Sequence, residues 1–360
     1  MATFCSGALG ALASRGDLEV RAFAVTWRTR HALACRLPAG VVRVDRPLPA
    51  RPLHWAWSMT ELPPIEWLAG PMDLVHGSNF VVPPARRAAR VVTVHDLTAL
   101  RFPEMCEPVS RRFPALVRRA ASRGAWVHTP SHWVAQEVVE LLGVDPERVR
   151  AVHHGVWLPD RPAGTGQRAL TLPSGTSRYI LALGTVEPRK DLPGLVRAFD
   201  ELASGHPDVA LVLAGPDGWG VADMAAALER SPHRRRILRL GWVGGERRDS
   251  LLAGAAAFAY PSVYEGFGFP PLEAMAAGVP VVATRAGALP EVLGDGAELV
   301  PVGDPVALAS ALSRVLDDEA VRRQLVQRGR ARVGSYRWAD CAEGLARLYA
   351  EAVSSRKGGG

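Results

Sequence analysis

Along the second half of the chain, short apolar runs alternate with stretches whose apolar residues recur every three or four positions. The runs Tyr179–Thr185, Val209–Gly215, Ile237–Val243, Ala257–Pro261, Val279–Thr284 and Ala297–Val302 predict strands. Between them Leu192–Ala203, Ala222–Arg230, Arg247–Leu252, Pro271–Ala277 and Val306–Leu316 predict helices, and Ala339–Val353 predicts a last helix before a Gly-rich tail. Alternation of this kind builds βαβ units, and so a parallel sheet with helices on both faces. In such α/β folds ligands collect at the carboxyl ends of the strands.

The first half repeats the pattern less regularly. Leu18–Val25, Asp73–His76, Val91–His95 and Trp126–Thr129 predict strands, and Ser131–Leu142 predicts a helix opened by a Ser cap. The opening MATFCSGALGALASRGDLEV reads as a helix, with Gly7 and Gly10 inside its pattern rather than in a loop. Leu158–Ser177, rich in Pro, Gly, Ser and Thr and without periodicity, reads as an interdomain connection. The expected organisation is an N-terminal domain over 1–157, a linker over 158–177, a second domain over 178–335 and a C-terminal helix and tail over 336–360.

Composition narrows the class. With 360 residues the chain is long enough for two cores, and its 48% hydrophobic and 22% charged content is that of a globular protein. Cys5, Cys35, Cys106 and Cys341 are scattered and form no CxxC pair, so a disulfide framework and a structural zinc site are not expected. No secretory signal opens the chain, and its longest apolar runs, such as Leu251–Tyr260, fall short of the ~20 residues that span a bilayer. A cytoplasmic location is the expectation.

The formal charge is +7, most of it carried before about residue 160. Arg111, Arg112, Arg118, Arg119 and Arg123 crowd the segment Arg111–Arg123 beside Phe113, Leu116 and Val117. On a helix this makes an amphipathic basic surface, suited to peripheral contact with an anionic membrane on the inner face of the cell. A solvated arginine-rich helix is the plainer reading of the same pattern. No nucleic-acid recognition motif accompanies the charge, so nucleic acid is not an expected partner.

Two motifs carry chemistry. Glu265-Gly-Phe-Gly-Phe-Pro-Pro-Leu-Glu273 directly follows the strand Ala257–Pro261. A strand, a Gly-bearing loop and a helix start place backbone N–H groups at the sheet edge, and Gly266 and Gly268 let the chain approach a ligand closely. The flanking carboxylates suit hydrogen bonds from sugar hydroxyls. Taken singly, each reads as an ordinary loop or helix-start acid. The second motif, Gly184-Thr-Val-Glu-Pro-Arg-Lys190, ends the strand Tyr179–Thr185 and sets Arg189 and Lys190 before a helix that Asp191 can cap. Two cations there form a diphosphate site, Arg gripping oxygens bidentately and Lys acting as a point charge. Neither GxGxxG after a strand nor GxxxxGK[ST] occurs, which argues against a nicotinamide dehydrogenase and a P-loop enzyme.

With these residues in view, the chain resembles the retaining glycosyltransferase family 4, of the GT-B fold: two Rossmann-like domains whose parallel sheets face across a cleft. The likeness is densest over Ile180–Val302, through GTVEPRKD, LVLAGPDGWG, LGWV, YPSVYEGFGFPPLEAMAAGVPVVAT and AGALPEV, and extends to DLVHGSNFVVPP, VVTVHDLT and HTPSHW in the first half. The resemblance implies that Arg189 and Lys190 hold the donor diphosphate, Glu273 bonds the ribose and Glu265 faces the transferred sugar. It further implies backbone contacts from Gly266, Phe267 and Gly268, a nucleobase bordered by Trp242 and Val243, and His95 beside the reacting carbon. A lone His at a strand end is by itself more often structural.

The implied reaction moves a hexose, mannose by the look of the EPRK-type subgroup, from a nucleotide-diphosphate sugar to a glycan or lipid-linked acceptor. The sugar nucleotide is a co-substrate, and no metal or other cofactor is expected, since no Asp-x-Asp pair is present. The chain departs from the family at its start, where the first strand and Gly-rich loop of the N-terminal sheet are lacking. Either the start is misplaced or the sheet has lost an element. A non-catalytic sugar-nucleotide-binding subunit, or an epimerase or hydrolase of the same fold, are the rival readings.

Overall fold

The computed structural model describes residues 2–25, 37–44, 49–157 and 170–357, so Cys35 and the 158–169 part of the expected linker lie outside the described residues. The chain forms two compact units, Met1–Gly155 with Tyr336–Gly360, and Val156–Ser335. In the first, helix α1 (Ala2–Ala13) is followed by strands β1 (Arg21–Phe23) and β2 (Val42–Val44) and by helix α2 (Ala50–Met59). Then come β3 (Leu74–Gly77), β4 (Ala89–Thr93), helix α3 (Phe113–Ser122), β5 (Trp126–Thr129), helix α4 (His132–Leu142) and β6 (Val149–Ala151). Strands β3, β4, β5 and β6 pair in that order, all parallel. Strands β1 and β2 form a separate parallel pair.

Local signals set these elements. The apolar positions Phe4, Ala8 and Leu12 recur every four residues and are all buried, which makes α1 a core helix. The Ser131 hydroxyl accepts the Val134 N–H at 3.2 Å, and Gly143 at φ 65° ends α4 in the left-handed region. The C-terminal helix, Trp338–Lys357, packs on α1 within the same unit. A Cβ on Gly7 would lie 2.2 Å from the Trp338 ring, so glycine is what lets the two helices meet.

The second unit holds β7 (Arg178–Leu183), helix α5 (Leu192–Ala203), β8 (Val209–Ala214), helix α6 (Val221–Arg230), β9 (Ile237–Gly241) and helix α7 (Gly245–Gly254). It continues through β10 (Ala257–Tyr260), helix α8 (Phe269–Ala276), β11 (Val281–Thr284), β12 (Ala297–Val300) and helices α9 (Pro305–Asp317) and α10 (Glu319–Val333). The sheet order is β12-β11-β10-β7-β8-β9, entirely parallel. Its central strands are buried along nearly their whole length, as expected where helices cover both faces. Leu195 and Phe199 of α5 join Leu312 and Val315 of α9 in the core over one face. Because β10, β7 and β8 are neighbours, the loops at their carboxyl ends gather at one sheet edge.

The first unit has a polar line through its apolar centre. The His128 Nε2–H donates to the Val152 carbonyl at 3.1 Å, leaving Nδ1 to accept from the Thr93 hydroxyl at 2.9 Å. Thr93 Oγ1 in turn accepts from His76 Nε2 at 2.7 Å, and His76 Nδ1 accepts from the Tyr349 hydroxyl, also at 2.7 Å. One proton arrangement satisfies every member only with both imidazoles neutral. Burial pushes the His128 imidazole down to about 3, and burial likewise pushes His95, whose ring lies 5.4 Å from that of Phe4, down to about 4. The folded unit therefore refuses protons that the unfolded chain takes up below its ordinary value of 6.5. Stability is full above that value and is lost as the pH falls towards the folded values. Lowering the pH from about 6.5 to 4.5 should cost the first unit about 2–3 kcal/mol through His128 alone. Hydrogen exchange followed by mass spectrometry should show it opening ahead of the second unit. Equal protection of both units across that range would refute this reading.

Candidate functional site

The loops leaving β7 and β8 touch backbone to backbone. A Cβ on Gly215, which sits at φ 153°, would lie 1.8 Å from the Gly184 carbonyl oxygen, so no side chain fits there. The Val186 N–H donates to the Pro216 carbonyl and the Gly220 N–H to the Val186 carbonyl, both at 3.0 Å. This bracing ends in a tight turn, Pro188–Lys190, after which Asp191 accepts the Gly194 N–H at 2.9 Å and caps α5. The turn aims Arg189 and Lys190 at the loop that leaves β10.

That loop supplies Glu265. Its Oε1 accepts from Lys190 Nζ at 2.5 Å and from the Tyr260 hydroxyl at 2.9 Å, and it lies 2.8 Å from Arg189 Nη1. Lys190 Nζ also donates to the Tyr260 oxygen at 2.6 Å, and Arg189 Nη2 meets Glu187 Oε1 at 2.8 Å. The Val263 N–H donates to the Arg189 carbonyl at 2.7 Å, tying the two loops together. Burial alone would raise the Glu265 carboxyl, but the charges of Arg189 and Lys190 outweigh it and hold the group at about 2. Burial, and then the Arg189 charge, lower the Lys190 ammonium, while Glu265 pulls it back. Burial and the Glu265 charge together push the Tyr260 phenol well above its ordinary value, so it stays a donor. The cluster is a carboxylate fixed as an anion with cations on two sides.

Gly268, at φ 111°, precedes α8 and opens its N-terminus beside Gly266 and Phe267, all three buried. Glu273, in the second turn of α8, pairs with Arg248 of α7. Trp242 and Val243 follow β9, with Trp242 74% exposed at the same edge of the sheet. His95 belongs to the first unit, just past β4, where its Nε2 bonds the Ser78 carbonyl at 2.9 Å. The structure thus gathers Arg189, Lys190 and Glu265 into one contact network and sets Gly266, Phe267, Gly268 and Glu273 along the adjoining loop and helix.

Three participants were not singled out from the sequence. Tyr260 ends β10 and reads there as a core aromatic. Arg248 lies on a helix of mixed polarity, and nothing in its spacing announces Glu273. Gly287, at φ 53°, packs under Glu265, where an added Cβ would lie 2.3 Å from the Glu265 carbonyl oxygen. The Ala288 N–H donates to that same oxygen at 2.8 Å. The glycine in AGALPEV was the available signal.

At the central strand ends of this parallel α/β sheet lie a cationic pair, an ionised carboxylate and a glycine-opened helix N-terminus, an arrangement chemically suited to a phosphorylated, hydroxyl-rich ligand. Comparison with known proteins gives the family. Residues 2–158 match the profile "Glycosyltransferase Family 4" and residues 167–332 match "Glycosyl transferases group 1". The chain belongs to glycosyltransferase family 4 and is a glycosyltransferase. It is 30% identical over 276 residues to the O-antigen chain mannosyltransferase B of Escherichia coli, covering 74% of this chain and 71% of that protein. It is 31% identical over 266 residues to the MMP alpha-(1->4)-mannosyltransferase of Mycolicibacterium hassiacum, covering 70% of this chain and 58% of that one. Among solved structures, sucrose-phosphate synthase from Thermosynechococcus elongatus superposes with a TM-score of 0.73 at 21% identity, covering 96% of this chain and 92% of that one. Anabaena Alr3699/HepE in complex with UDP and glucose gives 0.70 at 19%, covering 97% and 95%. These likenesses establish the GT-B fold.

The packing at Gly287 makes a direct prediction. Gly287→Ala forces a side chain into the left-handed region and against the Glu265 carbonyl, which should cost about 1–3 kcal/mol. A thermal unfolding midpoint equal to that of the wild type would show that the loop has room to yield.

Proposed function

We propose that this glycosyltransferase moves a hexose, specifically mannose, from a nucleoside-diphosphate donor to a glycan or lipid-linked acceptor with retention of anomeric configuration. The observation that carries the proposal is the Arg189–Glu265–Lys190 cluster at the ends of the adjacent strands β7 and β10. Arg189, Lys190 and the α8 N-terminus oppose the charge of the leaving diphosphate, so the chemistry invokes no metal. Glu265, held ionised, accepts hydroxyls of the transferred sugar, and Glu273 accepts those of the ribose while Arg248 keeps it oriented. Gly266, Phe267 and Gly268 contribute backbone, and Trp242 and Val243 border the base.

In the proposed step the bond between the anomeric carbon and the diphosphate oxygen breaks. The acceptor oxygen bonds that carbon from the same face, and its proton passes to the departing phosphate. The mannosyltransferases among the relatives support mannose, and the UDP complexes among the structural neighbours support a nucleotide donor. The enzyme is placed in the cytoplasm, at the inner face of the membrane where a lipid-linked acceptor resides. Among the described residues no helix is long and apolar enough to cross a bilayer.

Incubation with GDP-mannose or UDP-glucose and a lipid-linked oligosaccharide, followed by mass spectrometry and NMR of the anomeric proton, tests the reading. GDP-mannose, and not UDP-glucose, should be consumed, only with acceptor present, giving a product of the donor's anomeric configuration. Glu265→Gln should lower kcat at least about a hundredfold. An inverted product, or turnover of the donor alone by hydrolysis or epimerisation, would overturn it.

A further inference from the structure

The hydrogen bonds that join Lys190, Tyr260 and Glu265 close into a ring with a fixed sense. Lys190 Nζ donates to the Tyr260 oxygen at 2.6 Å and to Glu265 Oε1 at 2.5 Å. The Tyr260 hydroxyl, accepting from the lysine, turns its own proton to the same Oε1 at 2.9 Å. An ammonium carries three N–H bonds. With two of them committed to separate partners, tetrahedral geometry sets the direction of the third. A single partner would fix one direction only, and the ammonium would still turn about it. Tyr260 is the second partner that stops this rotation.

The place of Tyr260 suits it to that task. It is the last residue of β10, the strand beside β7, and only 2% of it is exposed, so it lies behind Lys190 rather than open to a ligand. Its ring stacks on that of Phe258 with centroids 6.2 Å apart, and Lys190 Nζ sits 4.7 Å from its own centroid. Burial and the Glu265 charge keep the phenol protonated, so the hydroxyl can accept from Lys190 and donate to Glu265 at once. Ring and hydroxyl do separable work. A phenylalanine here keeps the packing and the contact of the cation with the ring, and loses only the oxygen that orients the ammonium.

We propose that Tyr260 is a positioning residue for donor binding: its hydroxyl steers the Lys190 ammonium so that the third N–H meets a diphosphate oxygen, while Tyr260 itself touches no part of the donor. The inference rests on the reading of Arg189 and Lys190 as the diphosphate site. It adds that the grip of that site depends on an uncharged hydroxyl at the end of the neighbouring strand.

The test is a double-mutant cycle on the full chain, in which the wild type, Tyr260→Phe, Lys190→Met and the double variant are each titrated calorimetrically with GDP, UDP and ADP. Nucleotides without a sugar are used because Glu265 is assigned to the sugar hydroxyls. Near-ultraviolet circular dichroism checks that each variant is folded. Tyr260→Phe is expected to bind the preferred nucleotide at least about fivefold more weakly than the wild type. In the Lys190→Met background the same substitution is expected to change nothing, because the group it acts through is gone. A merely structural role would weaken binding alike in both backgrounds, and equal losses would overturn the proposal. Wild-type affinity in Tyr260→Phe beside weakened binding in Lys190→Met would overturn it and leave the diphosphate site standing. Wild-type affinity in Lys190→Met, or no binding of any of the three nucleotides, would remove the diphosphate reading and the proposal with it.

Discussion

A carboxylate buried at the end of a β-strand keeps its charge only if cations come to it, and the architecture of the second unit follows from how they do. Glu265 has Lys190 on one side and Arg189 on the other, and those residues come from a different strand–loop–helix unit. Bringing them together requires β7 and β10 to be neighbours, and a parallel sheet with right-handed crossovers allows this although some 75 residues separate the pair in sequence. It also requires the loops to approach without side chains between them, which Gly215 and Gly287 permit. The site is a consequence of sheet order and of two glycines as much as of its charged residues.

The same cluster explains why the charges are conserved through folding rather than quenched. Removing either cation would leave Glu265 buried and under-compensated, a more costly state than an apolar replacement of the whole group. Tyr260 adds a neutral donor whose proton stays in place, so Glu265 accepts from three directions. The first unit solves the opposite problem. Its buried imidazoles stay neutral because each hydrogen bond in the line from Tyr349 to Val152 fixes the next, and the C-terminal helix that carries Tyr349 is thereby part of the N-terminal core.

Much of this was legible in the sequence, and the exceptions have physical reasons. The β5 strand Trp126–Thr129 and the α5 helix Leu192–Ala203 match their expected bounds, because buried runs and an amphipathic period speak for themselves. The strand expected at Leu18–Val25 shrinks to three residues, and β2 and β6 were not anticipated, since strands so short carry no alternation to read. Helix α10, EAVRRQLVQRGRARV, was missed because its composition is basic all round; Asp318 caps it, and Gly329 lets it pack on Met275. Motifs placed Arg189, Lys190 and Glu265 together. Partners distant in sequence, such as Arg248 for Glu273 and Glu61 for the arginine segment, have no local signature, and that is why the basic helix turned out to be largely internal scaffolding.

The central claim is that the Arg189–Glu265–Lys190 cluster is a diphosphate site, and the most direct measurement is calorimetric titration of the chain and of Lys190→Met with GDP, UDP and ADP. The account predicts that one nucleotide binds the wild type preferentially and that Lys190→Met, folded by circular dichroism, binds it at least about tenfold more weakly. If none of the three binds, or if the variant binds as tightly as the wild type, the cluster does not hold the donor phosphates.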